Sequence, residues 1–157
     1  MKKFFLPACA LYLVVLLSVP GFLVFNHYNI LITGELYKFK VRPYDPYDPF
    51  RGRYVAIRQP SFNASGSGPY ALLVKDAEGF ARITAWQETK PNDRVYAKNF
   101  DISRYYMNEK LAPKVETLQR KIDTETDQMY VQVAVKNGGY VIKGLYLNGT
   151  PVEELVE

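Results

Sequence analysis

The side chains able to do chemistry in this chain are few, and most of them are carboxylates. Asp45 and Asp48 lie three residues apart in Pro43-Tyr44-Asp45-Pro46-Tyr47-Asp48-Pro49, where three prolines fix φ and supply no N–H. Two carboxylates on so stiff a loop could ligate Ca²⁺ or hold Arg51 in a charge-assisted pair. A hard cation wants six or more oxygens, and this segment offers only the two carboxylates; Asp before Pro is ordinary turn chemistry. The balance favours a structural role. Glu109 and Glu116 fall seven residues apart, on one face of a helix if that helix is continuous. Paired carboxylates run glycoside hydrolysis only at a defined separation across a cleft. Glu109 near a helix N-terminus favours the dipole instead, and Glu116 is spaced to pair with Arg120.

Other chemistries are excluded by composition. The chain of 157 residues has one His and one Cys. Cys9 lies inside an apolar run, so the remainder has no disulfide and no thiol nucleophile. His27 alone cannot assemble a zinc site of the usual nitrogen and sulfur ligands. No metal or other cofactor is expected. The formal charge is +4, and without Lys2 and Lys3 the balance is 18 basic against 16 acidic residues. The basic residues are scattered, whereas nucleic-acid binding needs a clustered patch, so no nucleic-acid partner is expected. Arg51-Gly52-Arg53-Tyr54 offers two uses. Gly52 permits a positive φ or a close backbone approach. Arg51 either packs against Asp48 or Glu109 or presents its fork to an anionic ligand or partner. Trp86, Tyr105 and Tyr106 could form an aromatic ligand surface, although packing is the commoner use of such residues.

The elements that must position these groups begin with a membrane segment. Phe4 to Phe25 is 22 residues without a charge. At helical rise it spans about 33 Å, enough to cross a hydrocarbon core. Lys2 and Lys3 precede it and no basic residue follows until Lys38. That bias places residues 1–3 in the cytoplasm, residues 4–25 in the bilayer, and a domain at 35–150 outside. A cleaved signal peptide needs small residues before its cleavage site, and Val19-Pro20-Gly21 is a poor match followed by more apolar sequence. The segment therefore reads as an uncleaved anchor.

Past the membrane, alternation predicts strands. Tyr37, Phe39 and Val41 point one way and Lys38, Lys40 and Arg42 the other. Arg53 to Arg58 predicts another strand, and Ser61 to Pro69 a flexible loop by composition. Tyr70 to Lys75 and Phe80 to Trp86 flank Asp76-Ala77-Glu78-Gly79, a hairpin. Residues 87–93 read as a polar loop and Arg94 to Lys98 as a short strand. Leu111, Val115, Leu118 and Ile122 form one stripe of an amphipathic helix with Pro113 in its first turn. Met129 to Val135 alternates, Asn137-Gly138-Gly139 turns the chain, and Tyr140 to Leu147 returns. The fold class expected is mainly β (α+β): one N-terminal transmembrane helix, then a mostly antiparallel β domain with one amphipathic helix.

The run Pro43–Gln59 (PYDPYDPFRGRYVAIRQ) resembles a bacterial membrane-anchored family named for a Gly-Asp-Tyr-x-x-Leu-x-Tyr motif, the GDYXXLXY family. Pro43, Asp45, Pro46, Asp48, Arg51, Gly52 and Tyr54 match its Pro-x-Asp-Pro-x-Asp, gap, Arg-Gly-Asp-Tyr segment. Ile57 stands for the usual Leu. Arg53 replaces the motif Asp and Gln59 the final Tyr, so no role of that Asp carries over. The layout is similar too: an upstream membrane helix, a Gly-containing hairpin, Tyr105-Tyr106-Met107-Asn108-Glu109 leading into a helix, and a closing Val-rich hairpin. The resemblance implies a location and the company of polytopic membrane proteins, and no reaction.

The expectation is thus a non-enzymatic accessory or interaction module outside the cytoplasmic membrane, partnering the bilayer and a polytopic membrane protein. Pro43, Asp45, Pro46, Asp48, Arg51, Gly52, Arg53, Tyr54 and Glu109 are its candidate interaction residues. A ligand-binding or sensory domain built on the same loop is the alternative. A hydrolase would need Asp45, Asp48, Glu109 or Glu116 to converge.

Overall fold

In the computed structural model, the helix begun by the apolar run continues well past Phe25. The structure describes residues 2–43, 54–58, 64–108, 111–119, 122 and 126–156. Helix α1 covers Lys2–Thr33, 32 residues, and runs through Pro20-Gly21 without a break. It stops where the amide of Gly34 donates to the Ile30 carbonyl at 2.8 Å. Large side chains from Tyr12 to Phe25 remain more than half exposed, whereas Ile30 is buried. From Tyr12 to Phe25 the helix is therefore apolar and bare, and among the described side chains it is buried only near its end, at Ile30.

The strands follow the alternation. Strand β1 (Glu35–Lys40) buries Tyr37 and Phe39 and continues through buried Val41 into β2 (Arg42–Pro43). Strand β3 (Tyr54–Arg58) pairs antiparallel with both β2 and β8 (Arg104–Tyr106). The region 61–69 is not wholly a loop. Ser65 and Gly66 form β4, a two-residue strand parallel to β6 (Ala81–Gln87). Gly66 has φ +94° and the Trp86 backbone against it, an approach that a Cβ would block.

Strands β5 (Tyr70–Lys75) and β6 form the expected hairpin, and β7 (Tyr96–Lys98) pairs on the other edge of β5. Its turn is locked by Asp76, whose Oδ1 accepts from the amides of Glu78 and Phe80 at 3.0 and 2.9 Å. Helix α2 is Ala112–Gln119, with Pro113 in its first turn and Val115 fully buried. Leu111, Leu118 and Ile122 pack against the core as the stripe predicts, but Leu111 and Ile122 do so from outside the helix.

Strands β9 (Met129–Lys136) and β10 (Gly139–Leu147) are joined by Asn137-Gly138, at φ +51° and +82°. Positive φ at both positions is the twist-matched hairpin turn that Asn-Gly favours. A second Asn-Gly, at 148–149, turns β10 into β11 (Thr150–Pro151) and then α3 (Val152–Val156).

One sheet has the order β1-β9-β10-β11, another β4-β6-β5-β7, and β2-β3-β8 forms a third. The two four-stranded sheets are hydrogen-bonded at two points: the Lys38 amide to the Gly79 carbonyl at 2.9 Å, and the Lys98 amide to the Gly138 carbonyl at 2.8 Å. Between them lie Tyr37, Phe39, Leu73, Ile83, Phe100, Val131, Val133 and Leu145. Strand β9 is buried on both faces, with Tyr130 and Ala134 covered as well as the valines. The Phe80 and Tyr146 rings cover Tyr130, and Gly34, at the end of α1, lies against Ala134.

Candidate functional site

The motif residues divide between what the structure describes and what it does not. Pro43 is in β2, paired with Ile57, and Tyr54 in β3, paired with Tyr106. Asp45, Pro46, Asp48, Arg51, Gly52, Arg53 and Glu109 lie outside the described residues. The backbone thus brings both ends of the motif loop to one small sheet, beside the Tyr105-Tyr106 strand. Trp86 and Tyr105 pack against the core. Tyr106 is 67% exposed. The Tyr105 hydroxyl donates to the Glu153 carboxylate, and burial first, then that carboxylate, push its pKa up. Among the described residues no group of three or more His, Cys, Asp and Glu is placed to hold a metal ion.

What the fold does assemble is a junction between helix and sheet. Ile30 sits on Gly139, where a Cβ would come 2.7 Å from its Cδ1. Burying such a side chain is worth about 1.5–3 kcal/mol. Lys136 Nζ donates to Asn29 Oδ1 at 3.0 Å and to Thr33 Oγ1 at 2.6 Å. The Thr33 hydroxyl itself donates back to Asn29. These contacts tie the last two turns of α1 to the β9–β10 hairpin, so helix and domain form one body.

Two open clefts flank this junction. One, of about 550 Å³, lies between Asn26, His27 and Ile30 of α1 and the tyrosines and lysines Tyr70, Tyr96, Lys90 and Lys98. Asn99 and Asn137 to Tyr140 complete it, and among the described residues no carboxylate lines it. Lys98 Nζ is 5.9 Å from the centre of the Tyr70 ring, and the Tyr70 and Tyr96 rings meet edge to face at 5.6 Å. The adjoining cleft, about 860 Å³, adds Arg94 and Lys136 against Glu35 and Asp93. Glu35 is already engaged: Lys75 Nζ donates to it, and so does the Tyr37 hydroxyl at 2.8 Å. These two bonds, Lys75 first, hold its pKa below the ordinary carboxylate value. The Tyr37 hydroxyl is pushed the other way, by burial and then by Glu35.

A third cleft, about 640 Å³, opens on the far side of Lys75, among Lys40, Asp76, Phe80 and Arg82. Lys40 and Lys38 lie over the Phe80 ring at 4.8 and 5.4 Å. Phe80 meets Tyr130 edge to face at 5.7 Å, and Tyr130 stacks on Tyr146 at 5.3 Å. Cations over aromatic faces are attracted by the ring quadrupole, which fixes these lysines on an otherwise apolar ladder.

The GDYXXLXY family model matches residues 16–145. The chain belongs to this family. The match takes in the second half of α1, both junction clefts and all of β1 to β9, and it ends within β10. No curated protein and no solved structure matches the chain. Within the family motif, this GDYXXLXY protein keeps Tyr54 as the first residue of a strand, while Arg53 and Gln59 stand where the motif has Asp and Tyr.

The cleft residues were invisible to motif reading. Lys90, Arg94, Lys98 and Lys136 are dispersed along 47 residues and meet only because β7 is bonded to the β9–β10 turn. The one local signal was Asn26-His27-Tyr28-Asn29 followed by Ile30-Leu31-Ile32, a polar patch that interrupts an apolar helix without ending it.

Proposed function

We propose that this GDYXXLXY protein is a membrane-anchored, non-enzymatic accessory module that docks on a polytopic membrane protein at the outer face of the cytoplasmic membrane. One observation carries the reading: a 32-residue helix, whose large apolar side chains from Tyr12 to Phe25 are left uncovered by its own fold, packs at its end on the domain that follows. Helix α1 is long and apolar enough to span a bilayer, and the charge-free run Phe4–Phe25 is the part read as crossing it. A signal sequence would be removed, and removal anywhere before Phe25 would leave the buried Ile30 and the Lys136 contacts behind in the domain. Those contacts are therefore neutral on cleavage; what supports retention is that Val19-Pro20-Gly21 is a poor cleavage match and that the helix runs on unbroken through it.

Lys2 and Lys3, with no basic residue before Lys38, support a cytoplasmic N-terminus and an exported domain. The scattered titratable groups around the clefts support recognition over reaction. The test is affinity purification of the full chain in mild detergent from its native cells, with intact mass measured alongside. Recovery of a multispanning membrane protein in fixed proportion, with residues 4–25 retained, is the expected result. A monomer alone, or a chain cut after the apolar run, overturns the proposal.

A further inference from the structure

We infer that the cleft between the end of α1 and the β5–β7 edge holds the anionic headgroup of a phospholipid from the outer leaflet. This rests on the anchor reading above and extends it. The depth is right. Asn26 to Ile30, which form the helical wall of the cleft, rise about 6 Å along the axis just beyond the apolar run. One headgroup layer is about 5–8 Å thick. The opposite wall presents Tyr70 and Tyr96, amphipathic rings of the type that settle at this level.

The charge is right as well. Among the described residues Lys90 and Lys98 line the cleft and no carboxylate does; Lys90 also borders the adjoining cleft, with Glu35 and Asp93. Among the described residues neither lysine is in an ion pair. Both are exposed, so their ammonium groups reach a ligand without first being desolvated. In the adjoining cleft Arg94 and Lys136 face Glu35 and Asp93, and Glu35 is already compensated by Lys75. The junction therefore presents a cationic collar at the level where, on the anchor reading, anionic headgroups lie. Asn26, Asn99 and Asn137 supply neutral polar groups suited to a glycerol headgroup, in a volume of about 550 Å³. A basic residue at a membrane surface contributes about a fivefold preference for anionic lipid.

The test uses the full chain in lipid nanodiscs of phosphatidylcholine with increasing phosphatidylglycerol, read by native mass spectrometry for lipids that stay bound after release. The expected result is selective retention of one phosphatidylglycerol. Retention should fall on the order of 20-fold in the double variant Lys90→Gln, Lys98→Gln. It should return in Lys90→Arg, Lys98→Arg, and survive Lys40→Gln, Arg82→Gln in the third cleft. Equal loss in that last variant would mean diffuse electrostatics and would overturn the site. Equal retention of phosphatidylcholine, or displacement of the lipid by millimolar inorganic phosphate, would overturn it too. A chain that stays outside the nanodiscs defeats the anchor itself, a result distinct from insertion without selective retention.

Discussion

At the scale of single residues, the Glu35 carboxylate makes a sharp prediction. Lys75 and Tyr37 hold its pKa down in the folded chain. A carboxyl held low contributes stability that is present above its unfolded value of about 4.3 and is lost as pH falls through the folded value. The pair is exposed, with side-chain accessibilities of 36% and 52%, so its worth is small, about 0.5 kcal/mol. Glu35→Gln should therefore lower the urea midpoint slightly at pH 7, and the gap from wild type should close below about pH 4. A gap that widens in acid would contradict the assignment. Phe39 is the opposite case, with 0% exposure and a ring contact to Phe100 at 5.0 Å. Phe39→Ala should cost about 3–5 kcal/mol, read as loss of the cooperative unfolding transition. Its burial was legible in the sequence because period-2 alternation needs no knowledge of the partner strand. The cleft lysines were not legible, since nothing in a lysine's local sequence says which distant backbone it will face.

At the scale of elements, short-range chemistry predicted what short-range chemistry controls. Both hairpins formed where Asp-Ala-Glu-Gly and Asn-Gly placed them, and Val115 lies at the centre of its stripe. Gly138→Ala should test the second turn: φ +82° disfavours a Cβ by about 1–2 kcal/mol, and the Tyr96 ring stands where the methyl would go. Faster hydrogen exchange across the β9–β10 turn is the expected readout. The elements that escaped reading are those made by partners. Strand β8 is three residues long and exists through pairing with β3, and β4 is two residues bonded to β6. The burial of Tyr130 and Ala134 comes from rings and a helix end far away in sequence, so alternation assigned only one buried face to β9. Helix α3 is equally tertiary: five residues that bury Val152 and Val156. Removing residues 152–157 should cost about 3 kcal/mol of stability, measured by thermal unfolding in detergent.

At the scale of the whole molecule, orientation and attachment are the properties at stake. Lys2→Glu with Lys3→Glu removes the only basic residues before Lys38, and a C-terminal topology reporter should then shift toward the cytoplasmic signal in a substantial fraction of chains. An unchanged reporter would mean that something other than these lysines sets the sidedness. The apolar run was legible, from its length and lack of charge, as a helix able to cross a membrane. Its continuation to Thr33 was not, because Asn26-His27-Tyr28-Asn29 looks like a helix end until the β9–β10 hairpin is there to receive Ile30.

That continuation has a mechanical corollary. Because Asn29, Ile30 and Thr33 of the shaft are held by the β9–β10 hairpin, a change in the tilt of the shaft is passed to the head through these contacts. Helices tilt when bilayer thickness changes or when a neighbour grips them. On the proposed anchor reading, a partner that seizes only the apolar length of this chain would thereby steer the face that the head presents, through packed contacts and not through a loose tether.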